Sequence, residues 1–97
     1  SLLPKVNSDL IMSLTVRYFA SVREAMGIAS ESSPTDIPTP TTVAQARAAL
    51  VARGSPWAEA LAESRVLRAA VNQQMVDAAA PLAPQDELAF FPPVTGG

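Results

Sequence analysis

The sequence predicts an α+β domain, a mixed sheet packed on one central helix, and three observations carry that prediction. Apolar residues alternate in two separated runs, Leu14, Val16 and Tyr18 early in the chain and Leu88 and Phe90 near its end, as half-buried strands require. Between them Thr42-Val43-Ala44-Gln45 reads as a capping box opening a helix, with Val43, Ala46 and Leu50 on one face. Residues 68–71 and 74–76 read as a short hairpin about Asn72-Gln73, because Asn tolerates the positive φ of a tight turn.

Each element follows from its local chemistry. Residues 1–12 carry Pro4, Asn7, Ser8 and Asp9 without periodicity and read as a disordered leader. Met12 reads as a natural start with an expression-derived segment before it, a natural extension being the alternative. The domain is expected over residues 13–91. In the first strand, 14–19, Leu14, Val16 and Tyr18 face the core, leaving Phe19 on the outer face. Residues 20–26 form a short helix that Gly27 ends in a left-handed cap, with Arg23 and Glu24 on its solvated side. The Ser-, Thr- and Pro-rich stretch 28–40 reads as loop with a short edge strand near 35–37.

The central helix is expected from Thr42 to Arg53, stopping at Gly54. Ser55-Pro56-Trp57 then starts a shorter helix, Ser55 as cap and Pro56 at its first position, running to about Ser64 with Trp57 and Leu61 turned inward. Beyond the hairpin, residues 78–85 with Pro81 and Pro84 form a connecting turn, and 86–91 is the last strand. Alternation there sets Leu88 and Phe90 against Glu87, Ala89 and Phe91. Met75 falls opposite Val76 and suits an adaptable contact.

The end of the chain has its own logic. Only four of 97 residues are glycine, and two of them, Gly96 and Gly97, close it. Pro92 and Pro93 lack N–H donors and hold φ near −65°, so they end the strand and project residues 92–97 as a stiff tail. Six residues at ~3.3–3.6 Å each reach about 20 Å, enough to carry a carboxylate into another protein's pocket. Glycine at the last two positions lets a narrow channel close on Pro92, Pro93, Val94, Thr95, Gly96 and Gly97 and leaves the final carbonyl open to attack. The reactive group is then the α-carboxylate of Gly97. Ionised at neutral pH, it is a poor electrophile and needs activation by a partner.

Composition narrows the rest. A formal net charge of −2 with a single lysine, Lys5, argues against a nucleic-acid surface. Zero cysteines exclude a disulfide framework and fit a cytoplasmic protein. No apolar run approaches a membrane span. With no His, no phosphate loop and no metal-ligand motif, the chain reads as a carried substrate and not an enzyme.

Three segments together carry a resemblance: 86–97, ending Phe90-Phe91-Pro92-Pro93-Val94-Thr95-Gly96-Gly97; 69–76, with Val71-Asn72-Gln73; and 18–24, Tyr18-Phe19-Ala20-Ser21-Val22-Arg23-Glu24. They resemble the small, sulfur-carrying subunits of molybdopterin synthase. The resemblance implies a ubiquitin-like β-grasp fold and a second strand within 28–40. It implies that a ubiquitin-activating-type adenylyltransferase, using ATP and Mg, forms an acyl-adenylate on Gly97. A sulfurtransferase then supplies sulfur for a thiocarboxylate, and the tail enters the catalytic large subunit of a heterotetramer, giving its sulfur to the molybdopterin dithiolene. By register, Phe19, Met75 and Phe91 each fall opposite their strand's core residues and form one exposed apolar, partner-binding patch beside the tail if these strands adjoin, and the resemblance implies a docking surface at the same positions. Sulfur carriers of thiamine or cysteine synthesis, a protein modifier and a passive interaction domain stand as alternatives.

Overall fold

The computed structural model describes residues 14–32, 37 and 40–93. Its elements run β1 (Thr15–Tyr18), α1 (Ala20–Met26), β2 (Ser30–Ser32), β3 (Thr41–Thr42), α2 (Val43–Val51), α3 (Trp57–Ala60), β4 (Arg68–Val71), β5 (Gln74–Val76), β6 (Pro81–Leu82) and β7 (Glu87–Phe91). Five strands form one sheet in the order β2-β1-β7-β4-β5, and β3 pairs with β6 in a separate ribbon. Only the central pair is parallel, Thr15 opposite Glu87 through Tyr18 opposite Phe90; the other pairs are antiparallel. This mixed sheet with helices on one face is the expected α+β architecture, a ubiquitin-like β-grasp.

The alternation reading holds at both central strands. Leu14, Val16, Tyr18, Leu88 and Phe90 are buried and share one core with Val22, Val43, Ala46, Leu50, Leu61 and Leu82. Removing Leu50's side chain strips a fully buried group, a loss of about 2–5 kcal/mol. Helix α2 starts as its sequence says: Thr42 Oγ1 accepts from Gln45 N–H at 3.2 Å while Gln45 Oε1 accepts from Thr42 N–H at 3.1 Å. Two further orphan donors are met by the chain itself, Val43 N–H by the Ala80 carbonyl and Ala44 N–H by that of Ala78. Gly27 caps α1 at φ 79°.

Four local readings are corrected. The strand described within 28–40 is Ser30–Ser32; of the edge strand expected near 35–37, Ile37 is a buried bend, and Thr35 and Asp36 lie outside the described residues. The stretch 78–85 is more than a turn, because Pro81–Leu82 pairs with Thr41–Thr42. Ser55 does not cap α3: its hydroxyl donates to Glu59 Oε2 at 2.7 Å, and Pro56 stands at the cap position without a side-chain bond. That helix also stops at Ala60 rather than Ser64. The guanidinium of Arg47 donates to the carbonyls of Leu61, Ala62 and Arg65, which spends on Arg47 the acceptors a longer helix would use internally. The leader assigned to residues 1–12 lies outside the described residues.

Candidate docking face and tail exit

Strand register builds this face. Because Tyr18 pairs with Phe90 and both point into the core, the residues that follow them, Phe19 and Phe91, turn the other way, and Phe19 N–H donates to the Phe90 carbonyl at 3.2 Å. Phe91 lies opposite Arg68 on β4. One step along, Arg17, Ala89, Ala70 and Met75 form a row across four strands. Phe19, Phe91 and Met75 thus share the face turned away from the helices, as expected from alternation. Phe19 is 42 % exposed and Met75 58 %, while Phe91 is half-buried.

The floor between them is small. Ala70 and Ala89 stand on this outer face yet are each 8 % exposed, because their larger neighbours shade them. The result is a shallow depression floored by alanine, with Met75 at one side, the aromatic pair at the other and exposed Arg68 beside Phe91 on the same face. Arg17 holds its edge through an ion pair with Glu87 at 2.7 Å, a half-exposed pair that contributes little to stability. Sequence reasoning found the three large residues and missed the alanines; their only sign is the run Arg68-Ala69-Ala70-Val71, in which small residues occupy both faces of a strand.

Strand β7 delivers the tail from the centre of the sheet. Pro92 and Pro93 follow Phe91 directly and are half-buried; Val94, Thr95, Gly96 and Gly97 lie outside the described residues. The other end of β7 is pinned by Asn72, at φ 52° in the β4–β5 turn beside Gln73 at φ 68°. Its Nδ2 donates to Asp86 Oδ1, its Oδ1 accepts from Glu87 N–H, each at 3.0 Å, and its own N–H donates to the Glu87 carbonyl at 2.8 Å. The turn dipeptide therefore fixes the register of the strand that carries the tail.

On the opposite face, a polar cluster at the sheet edge braces β2. Glu31 pairs with Val16 and so turns toward the helices. Its Oε2 accepts from Tyr18 Oη–H and Trp57 Nε1–H, both at 2.8 Å, and its Oε1 from Arg53 at 2.7 Å; the Arg53 guanidinium also lies 4.8 Å from the Trp57 ring centroid. Burial pushes the Glu31 carboxyl up, but the three donated bonds and the Arg53 charge outweigh it, so it ionises below the ordinary carboxylate range. Burial first, then the bond to and charge of Glu31, drive the Tyr18 phenol well above its ordinary value. With every member paired, the cluster is a brace and offers no vacant group for chemistry.

A cavity of about 350 Å³ opens between α2 and the core side of β4 and β5, floored by Val43, Val76 and Phe90, with Arg47, Glu63 and Asp77 at its border. It lies across the sheet from Met75. Among the described residues no three His, Cys, Asp or Glu side chains gather to hold a metal, and no helix is long and apolar enough to cross a membrane.

Comparison with known proteins finds the chain similar to a family of small proteins. The model of the ThiS family matches residues 16–97. The molybdopterin synthase sulfur carrier subunit of Escherichia coli is 44% identical over 87% of this chain and 99% of its own length. The protein of the same name from Haemophilus influenzae is 38% identical over the same shares. Among solved structures, SAMP1 from Haloferax volcanii superposes with a TM-score of 0.66 at 27% identity, covering 87% of this chain and 98% of that one.

Proposed function

This chain belongs to the ThiS family, and from that premise we propose that it is the sulfur carrier subunit of a molybdopterin synthase, working through its own C-terminus. One observation carries the reading: the family match runs through residue 97, so it takes in the Gly96-Gly97 end. Supporting it, the two molybdopterin synthase carriers match across nearly their whole length.

The chemistry follows from the carboxylate. A Gly97 oxygen attacks the α-phosphorus of ATP, held with Mg on a ubiquitin-activating-type adenylyltransferase; pyrophosphate leaves and an acyl-adenylate remains. The terminal sulfur of a persulfide on a sulfurtransferase then attacks the acyl carbon and AMP departs, leaving an acyl disulfide; a thiol cleaves its S–S bond, forming a disulfide with the sulfurtransferase and releasing the thiocarboxylate. In the large subunit that sulfur passes to the molybdopterin precursor, and water restores the carboxylate. The chain contributes no catalytic side chain; the catalytic residues lie on the large subunit. What it does contribute is delivery. Pro92 and Pro93 stiffen the departing tail, Val94 and Thr95 extend it, and glycine at 96 and 97 admits it to a narrow channel. Phe19, Met75 and Phe91 dock the large subunit and the activating enzyme beside that exit. The setting is cytoplasmic, and the assembly a heterotetramer of two small and two large subunits.

The test is the mass of the chain after incubation with ATP, Mg, a competent activating enzyme and a sulfur donor, with a Gly97 deletion alongside. A gain equal to exchanging one oxygen for sulfur, absent from the deletion, is expected. No gain with an enzyme that loads its own carrier sinks the reading.

A further inference from the structure

We propose that Met75 is an oxidation site at which hydrogen peroxide turns off the docking face. The inference rests on the docking role given to that face above, and three observations carry it further. The chain has no cysteine, so methionine is its sole side-chain sulfur. Of its three methionines, Met12 lies outside the described residues, Met26 is 7 % exposed within the core, and Met75 is 58 % exposed. Met75 also sits on β5, which among the described strands ends the sheet, and its neighbour across the pair is the small Ala70. Its side chain is mostly exposed and stands beside the alanine floor.

The step balances. A thioether lone pair attacks one peroxide oxygen; an S–O bond forms as the O–O bond breaks, and the other oxygen leaves as water after proton transfer. Sulfur loses two electrons and peroxide gains them. The product is polar and strongly hydrogen-bond-accepting where the thioether was apolar, so a partner closing over the depression must strip water from it without return. The fold is untouched, because Met75 points away from the core that Val76 joins. Docking is lost and the carrier stays folded, a state that methionine sulfoxide reductases reverse.

The sequence makes this readable. Trypsin places Met12 in fragment 6–17, Met26 in 24–47 and Met75 in 69–97. The unloaded carboxylate form is treated with hydrogen peroxide, mapped by fragment-ion mass spectrometry, and its affinity for the cognate large subunit measured. Fragment ions are needed because sulfur at Gly97 and oxygen at Met75 raise the mass of 69–97 almost equally. We expect Met75 to oxidise at least tenfold faster than Met26, and saturation with the large subunit to protect it. Affinity should fall roughly tenfold on oxidation and return with reductase, about the effect of burying one poorly paired polar group. Met75→Leu, whatever its starting affinity, should not change with peroxide. Complete oxidation with unchanged affinity, while Phe19→Ser loses binding, overturns the proposal and leaves the docking face standing. If Phe19→Ser binds as wild type does, the docking face itself falls and this inference with it.

Discussion

Glu31 and Trp57 lie 26 residues apart in sequence, yet the indole N–H donates to the carboxylate at 2.8 Å. This bond, with those from Tyr18 and Arg53, ties an edge strand that has almost no apolar surface to the helices beneath it. Strand β2 reads Ser-Glu-Ser, and its single inward side chain is a carboxylate. Beyond its backbone pairing with β1, its attachment is electrostatic.

Glu31→Gln should therefore destabilise the fold by about 1–3 kcal/mol at neutral pH, since three donors lose a charged acceptor and Arg53 keeps a partly desolvated charge. The pH dependence has a definite sign. The folded state holds Glu31 below the ordinary carboxylate range, so its contribution is present above the unfolded carboxylate pKa and lost as pH falls through the lowered folded value. Urea titrations followed by Trp57, the chain's one tryptophan, should show the two proteins diverging above that window and converging below it. Equal stability at neutral pH contradicts the brace.

Tyr18 offers a separate readout because it is the one tyrosine. Ultraviolet titration of the native protein should show no phenolate forming near the ordinary value of about 10, while in urea the transition should sit there. The raised native pKa means the contribution of this group is full below the unfolded value and declines as pH rises above it. A native midpoint near the ordinary value removes Tyr18 from the cluster.

Arg47 donates to three backbone carbonyls that end α3 and shape the approach to β4. Arg47→Ala should cost about 2–3 kcal/mol by denaturant unfolding. Arg47→Lys should recover only part, because an ammonium lacks the planar fork that spans several acceptors.

Phe19→Ser should weaken binding to the large subunit about tenfold or more while leaving the unfolding midpoint nearly unchanged, since the ring is outside the core. Calorimetric binding together with thermal melting separates the two effects. A melt lowered by several degrees means that the ring supports the sheet rather than a partner.

What was legible in the sequence was local. The Thr42 and Gln45 box, the Gly27 cap and the Asn72-Gln73 turn each need residues only a few positions apart, and all three stand in the structure. Strong alternation made β1 and β7 legible, and with them the outward side of Phe19 and Phe91. Strands β2 and β6 were not, because Ser-Glu-Ser and Pro-Leu carry no apolar period; pairing with a neighbour makes them strands. The Glu31 cluster joins residues 13, 22 and 26 positions away, a distance over which no residue pattern speaks. The end of α3 was misjudged for the same reason, since the guanidinium that stops it comes from α2.

The parallel union of β1 with β7 has a mechanical side. A pull between the chain entering β1 and the chain leaving β7 slides the two strands along each other, so their hydrogen bonds bear the load together instead of parting one at a time. Strand β4 holds the other flank of β7 over Arg68 to Val71. Tension applied at Pro92 against the chain entering β1 thus arrives at the middle of the sheet in shear, the direction in which a sheet yields least.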